Sequence, residues 1–167
     1  MGINVVNTFY NGLLKGIKYL IVVLGSILIV VVFFNVISRS FLNSSLGWVD
    51  ETARFLFIWL TFLGAILANA TNEHMHLDFV VDLLPKKVGQ VIVVAANTVV
   101  LIILGLIVKG GITIVIQNYD WMTPALEISY GLVYTIVPIS GVILMIQIIA
   151  RIINIIRSML EMSKTYI

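Results

Sequence analysis

Four long apolar stretches without a single charged residue constrain the fold more than any other feature of this sequence. They cover residues 19–38, 55–72, 88–108 and 128–150. The hydrocarbon core of a bilayer is about 30 Å thick, so a helix that crosses it needs about 20 apolar residues. The runs do not alternate between apolar and polar residues, which excludes transmembrane strands. The sequence therefore predicts an all-α integral membrane fold with four transmembrane helices, at about 19–38, 53–72, 88–110 and 128–150.

The composition supports a single membrane domain over residues 1–167 and excludes several kinds of site. Hydrophobic residues make up 60% of the chain and charged residues only 11%, and no linker divides it. The absence of cysteine excludes disulfides, thiolate metal sites and cysteine nucleophiles. The ten Lys and Arg residues are scattered, whereas nucleic-acid binding needs a concentrated basic face. No histidine lies in a predicted span, which argues against a haem held by two histidines. We expect no cofactor in this chain and no enzymatic activity, since cysteine and clustered acid–base groups are missing as well.

The basic residues predict how the chain is oriented. With a cytoplasmic N-terminus, three of them lie outside: Arg39, Arg54 and Lys109. The other seven then lie inside: Lys15, Lys18, Lys86, Lys87, Arg151, Arg157 and Lys164. Because Lys and Arg concentrate in cytoplasmic loops, both termini are predicted to be cytoplasmic.

Three segments beside the spans have the pattern of amphipathic surface helices. Apolar and polar residues separate onto different faces over residues 1–18, which predicts an interfacial helix before the first span. Residues 73–85 show the same pattern until Pro85, which cannot continue a helix. Residues 151–162 predict a cytoplasmic extension of the fourth helix. Within the fourth span, Pro138 predicts a kink or a local opening.

The densest polar cluster lies in residues 47–59, at the start of the second span. Asp50 and Glu51 stand four and three residues before Arg54, so a helix would place these groups side by side. The cluster suits a self-neutralising helix start, or a surface that docks a partner, with solute binding a minor alternative. Further along this span, Gly64 and Ala68 form a small-residue face that lets another helix approach closely.

The histidine pair His74 and His76 invites a metal interpretation, since Glu73 and Asp78 lie nearby. Residues two apart point to different faces of a helix, and these are the only histidines in the chain. A polar contact at the membrane surface is therefore favoured, and no metal site is predicted. No ionisable residue lies inside the four charge-free stretches, although ion-coupled transport usually needs one. This argues against a self-sufficient homodimeric transporter, and a quinone-binding membrane enzyme is disfavoured further by the missing histidine and cysteine.

Residues 47–65 and 72–85 resemble the small membrane subunit of tripartite ATP-independent periplasmic (TRAP) transporters. The elements that carry the resemblance are Trp48, Glu51, Arg54, Trp59, Gly64, Ala65, His74 or His76, Asp78 and Pro85. The resemblance implies a bacterial inner-membrane scaffold that braces a large transport subunit and contacts lipid. It also implies a periplasmic binding protein that delivers an organic acid, such as sialic acid or a dicarboxylate, and sodium that binds the large subunit. The candidate partner-interface residues are Trp48, Asp50, Glu51, Arg54, Trp59, Gly64, Ala68, His74 and Asp78.

Overall fold

The computed structural model describes residues 2–42, 46–71 and 86–165. They form α1 (Gly2–Leu42), α2 (Gly47–Thr71), α3 (Lys86–Gln117), α4 (Tyr130–Tyr134) and α5 (Ile136–Thr165). Four helical segments are long and apolar enough to cross a membrane: Tyr10–Phe41, Gly47–Thr71, Val88–Gln117 and Tyr130–Leu160. The predicted all-α membrane fold with four spanning helices is confirmed.

The first helix runs without interruption through the predicted interfacial segment and the first predicted span. The sequence between Gly2 and Leu42 contains no proline. Gly12 and Gly16 are the residues least suited to a helix near the predicted boundary, and each costs only about 1 kcal/mol relative to alanine. Amphipathic patterning marks a change of surroundings there, but nothing in the backbone ends the helix.

The third helix continues past Lys109, the charge that defined the end of the predicted span. Gly110 and Gly111 weaken the helix without breaking it, and apolar residues follow as far as Ile116. The chain turns only after Gln117, where the Asn118 carbonyl accepts hydrogen bonds from the Trp121 and Gly131 amides at 3.3 and 3.0 Å. Lys109 therefore lies inside a continuous helix.

The fourth span is divided into α4 and α5 at Thr135, one turn before Pro138. Proline has no backbone N–H, so Pro138 cannot donate to the Tyr134 carbonyl four residues earlier. The Thr135 amide instead donates to the Leu132 carbonyl at 3.3 Å, and the Ile139 amide donates to the Thr135 carbonyl at 3.3 Å. The predicted local opening thus occurs where the proline's missing hydrogen bond falls.

The spanning helices form a row in the order α1, α2, α5, α3. Asn35 of α1 donates to the Asp50 carboxylate of α2 at 2.8 Å, and Gln90 of α3 donates to Ser158 of α5 at 3.3 Å. These contacts make each of the two outer pairs antiparallel. The central pair, α2 and α5, is parallel, since Trp59 of α2 contacts Val133, just before α5, and the later Asn69 donates to the later Gln147 at 2.7 Å. Gly2 of α1 and Thr165 of α5 therefore lie toward one end of the helices, the terminal end, and residues 46–54 and 118–129 lie at the other, the loop end.

The buried core is small and sits where α1, α2 and α5 meet. Its centre is Ile66, which is 0% exposed, with Ile17, Leu63 and Ile136 around it. Along the rest of α1 and α3, large apolar side chains such as Ile29 and Leu106 are mostly exposed. Such surfaces are stable only against lipid or another apolar protein surface.

Candidate functional site

Glu51 fixes the loop that follows α3. Its Oε1 accepts a hydrogen bond from the Ala125 amide at 3.1 Å, and its Oε2 accepts one from the Leu126 amide at 3.0 Å. Both are charge-assisted bonds, which are stronger than neutral ones. Glu51 thus ties the start of α2 to a segment 74 residues away in sequence. The spacing of acids and bases in the sequence gave no signal of this contact.

The same loop, residues 118–129, is closed further by its own hydrogen bonds. The Thr123 amide donates to the Ile128 carbonyl at 2.9 Å, and the Ile128 amide donates to the Thr123 hydroxyl at 3.1 Å. The Ser129 hydroxyl donates to the Tyr119 carbonyl at 2.5 Å. Both hydroxyl-bearing residues are buried. These hydrogen bonds hold the loop in a defined conformation at the loop end of the helices.

Asp50 and Glu51, which the sequence places beside Arg54, bond to groups outside α2 in the described part of the chain. Asp50 accepts a hydrogen bond from Asn35, and Glu51 is occupied by loop amides. Both carboxylates therefore bond to groups outside α2 instead of pairing along it. Within the part of the chain that the structure describes, the exposed Arg54 has no hydrogen bond or ion pair.

The two tryptophans proposed for the interface take different positions. The Trp59 indole nitrogen donates to the Val133 carbonyl at 3.1 Å, which holds α2 against α4. Trp59 therefore serves the packing of this chain. Trp48 is 40% exposed, and its ring centroid lies 6.2 Å from that of Phe34. Its exposed edge is free to lie at headgroup level, as expected for an aromatic anchor.

The small-residue pair lies on a face of α2 that no other described helix covers. A Cβ built on Gly64 would meet nothing within 4 Å, and Ala68 is exposed. The exposed side chains of Phe57 and Thr61 continue this stripe toward Arg54. We call the five residues Arg54, Phe57, Thr61, Gly64 and Ala68 the α2 open face. It offers close approach to a helix that this chain does not supply.

A polar cluster that the sequence did not predict joins α2 to α5 at the terminal end. The Arg151 guanidinium donates to the Asn69 carbonyl at 3.1 Å, and the Gln147 amide donates to the Ile66 carbonyl at 3.4 Å. Basic groups suit the C-terminal end of a helix, where carbonyls lack partners. Arg151, on the neighbouring helix α5, thus supplies a donor to a carbonyl in the last turn of α2. His74 and Asp78 lie outside the described residues, so their interface role stays a prediction.

A groove of about 430 Å³ lies between α2 and α3 on the surface of α5. Its walls are mainly apolar, with the side chains of Asn118 and Tyr134 as polar exceptions. The other residues that line it are Ile58, Phe62, Gly111, Ile114 and Val137. An apolar chain, from lipid or from protein, would match these walls.

The family model described as "Tripartite ATP-independent periplasmic transporters, DctQ component" matches residues 28–158. The match begins within α1 and ends within α5, and it includes the whole of α2 with its polar start, α3 and α4.

Proteins that carry TRAP transporter names are similar to the chain over most of its length. One is a Haemophilus influenzae protein named as a TRAP transporter small permease, 30% identical over 77% of this chain and 78% of its own length. Another is the sialic acid TRAP transporter small permease protein SiaQ of Vibrio cholerae, 26% identical over 83% of this chain and 80% of its own length.

A longer similar protein is the sialic acid TRAP transporter permease protein SiaT of Haemophilus influenzae. It is 27% identical over 75% of this chain, which corresponds to only 21% of its own length. A segment similar to this chain is therefore one part of a much larger permease polypeptide.

Proposed function

Because the chain belongs to the DctQ family of TRAP transporters, we propose that it is a scaffold that braces the moving large permease subunit. The chain is a TRAP transporter small permease subunit, a multi-pass protein of the bacterial inner membrane and the partner of a large permease subunit. The scaffold role is a step beyond family membership, and the α2 open face is the observation that supports it most directly.

Relatives in which both parts share one polypeptide support the partnership. The chain corresponds to 21% of the length of SiaT, and to 15% of the isethionate TRAP transporter permease protein DctMQ of Oleidesulfovibrio alaskensis. Two parts joined in one chain stay close in space at all times. We infer that small and large subunits that are separate chains also stay in contact.

The internal contacts of the chain support a static role. Glu51 fixes the loop end, Trp59 holds α2 to α4, and Arg151 closes the terminal end of α2. Each contact joins elements that are more than 70 residues apart in sequence. A unit tied at both ends resists bending, which suits a support against which another domain slides.

The transported solute and the driving ion belong to the rest of the system. We propose an organic acid as solute, delivered by a periplasmic binding protein, since sialic acid and isethionate occur in the names of relatives. Sodium is assigned to the large subunit, because the charge-free stretches of this chain offer no carboxylate to bind it. No catalytic role is proposed. The loop end is taken as periplasmic from the distribution of Lys and Arg.

The α2 open face gives a direct test of docking. Replacing Gly64 with leucine fills the close-approach position, and we expect binding of the large subunit to weaken about tenfold, as for the loss of one interhelical packing contact. The isolated subunit should stay stable, because a Cβ at this position meets nothing within 4 Å. Binding is measured by titrating the labelled large subunit against this chain in lipid nanodiscs.

Gly25→Leu is the matched control. Gly25 lies in the middle of α1, where an added Cβ also meets nothing within 4 Å. This variant adds the same bulk on a different helix and should bind the large subunit as the wild type does. If both leucine variants bind like the wild type, the α2 open face is not a docking surface.

A further inference from the structure

Lys109 lies well inside α3, although the sequence placed it at the end of a span. It stands eight residues before Gln117, the last residue of α3, which is about 12 Å along the helix axis. Its neighbour Val108 packs against Gly141 of α5, where an added Cβ would come within 2.6 Å of the Val108 side chain. Lys109 is thus level with Gly141, which lies near the middle of the charge-free stretch 128–150.

The contacts of α4 and α5 with α2 give a second measure of this depth. Gly141 lies about halfway between Val133, which accepts a hydrogen bond from Trp59, and Gln147, which accepts one from Asn69. Trp59 and Asn69 lie toward the two ends of the charge-free part of α2, residues 55–71. The level of Lys109 therefore falls near the middle of the apolar layer that α2 defines.

Lys109 points away from the rest of the chain. Val108 and Gly111 face α5, whereas Lys109 is exposed on the opposite side of α3. Ile102, Leu106, Thr113 and Ile116, at helical spacing, are exposed on the same side. We call these five residues, with Lys109 at the centre, the α3 outward face. It lies on α3, the outermost helix of the row on the side away from α1.

The chain supplies no partner for the Lys109 ammonium group among its described residues. The helix α3 contains no Asp or Glu. The Thr113 hydroxyl donates to the Lys109 carbonyl at 3.1 Å, and no hydrogen bond joins it to the Lys109 ammonium group. A lysine held at the centre of a spanning helix costs about 3 kcal/mol when it faces lipid. Such residues usually pair with a group of opposite charge.

The Lys109 side chain points away from the nearer membrane surface, the one at the loop end. Helical side chains lean toward the N-terminus of their helix, and the N-terminus of α3 is at the terminal end. Lys109 therefore leans away from the loop end, the surface that its own helix reaches 12 Å further on. The four-carbon stem is only about half that long. A lipid phosphate at that surface is out of reach, whereas a side chain on a neighbouring transmembrane helix is within reach.

We propose that Lys109 binds a carboxylate on a transmembrane helix of the large permease subunit, so that the α3 outward face is part of the interface between the subunits. The inference rests on the proposed partnership and adds a second contact beyond the α2 open face. One ion pair at mid-bilayer depth would fix the relative height of the two subunits, because a shift along the membrane normal would separate the charges.

The test is binding of the large subunit in lipid nanodiscs by Lys109→Arg, Lys109→Leu and Lys109→Glu. We expect the arginine variant to bind like the wild type, because it keeps the charge. The leucine variant should bind about tenfold more weakly, through loss of one interhelical polar contact. The glutamate variant should bind about a hundredfold more weakly, because like charges then meet in lipid. Lys15→Glu, which changes an exposed lysine near the terminal end, is the matched control and should bind normally.

Each outcome has a definite meaning. If the wild type does not bind the large subunit, the proposed partnership fails. If the wild type binds and the leucine and glutamate variants bind equally well, only the role of Lys109 fails. Loss of bound anionic phospholipid from Lys109→Leu, without loss of the large subunit, would assign the lysine to a lipid and overturn the proposal. Leucine is favourable on a lipid-facing helix, so the leucine variant should fold. It therefore tests the proposal even where the glutamate variant does not fold.

Discussion

Replacing Gly131 with alanine is expected to destabilise the isolated subunit by about 3 kcal/mol, the upper part of the range for overpacking. A Cβ at this position would lie 2.7 Å from the Val115 carbonyl oxygen and 2.8 Å from the Tyr119 Cα. Both obstacles are backbone atoms, which cannot move aside as a flexible side chain can. The Gly131 amide also donates to the Asn118 carbonyl at 3.0 Å, so α4 cannot retreat without losing this bond. Thermal unfolding in detergent, followed by tryptophan fluorescence, measures the change.

Gly110→Ala is the matched control for Gly131→Ala. Gly110 lies in the same helical pair, but an added Cβ there meets nothing within 4 Å. Alanine is also the better helix former, by about 1 kcal/mol. The control should therefore be as stable as the wild type or more stable. Equal stability of the two alanine variants would contradict the close contact between α3 and α4.

Replacing Glu51 with alanine is expected to destabilise the chain by about 2 kcal/mol, because two amide donors lose a charged acceptor. The loop of residues 118–129 should become accessible to proteases, since its tie to α2 is gone. Glu51→Gln keeps the size but offers one acceptor oxygen in place of two, so it should show part of the loss. Limited proteolysis and thermal unfolding measure the two effects.

Asp120→Ala removes a carboxylate from the same loop and serves as the control for Glu51→Ala. Asp120 is exposed and makes no hydrogen bond with the described residues. Its replacement should change neither the melting temperature nor the cleavage pattern. If Glu51→Ala behaves like Asp120→Ala, the carboxylate does not hold the loop in solution.

The spanning helices were predictable because they depend on local chemistry. Charge-free stretches of about 20 residues locate the spans, and Pro138 locates the break between α4 and α5. The end of α3 was harder to predict, because Lys109 marks a change of polarity and not a change of backbone. The helix continues to Gln117, since no residue between them stops it.

The candidate site was only partly predictable, because its contacts join distant parts of the chain. The sequence shows Glu51 beside Arg54, but not the Ala125 and Leu126 amides that occupy the carboxylate. It shows the small residue Gly64, but not that the row order leaves this side of α2 open. Helix order is a property of tertiary packing, and periodicity along one helix does not encode it.

Uptake of a labelled organic acid into sodium-free vesicles, with or without sodium in the external solution, tests the scaffold role most directly. Three preparations are compared, each with the periplasmic binding protein present: this chain alone, the large subunit alone, and both together. Sodium-dependent uptake should require both subunits, and this chain alone should give none. Uptake by this chain alone would contradict the scaffold role and favour a self-sufficient homodimeric transporter.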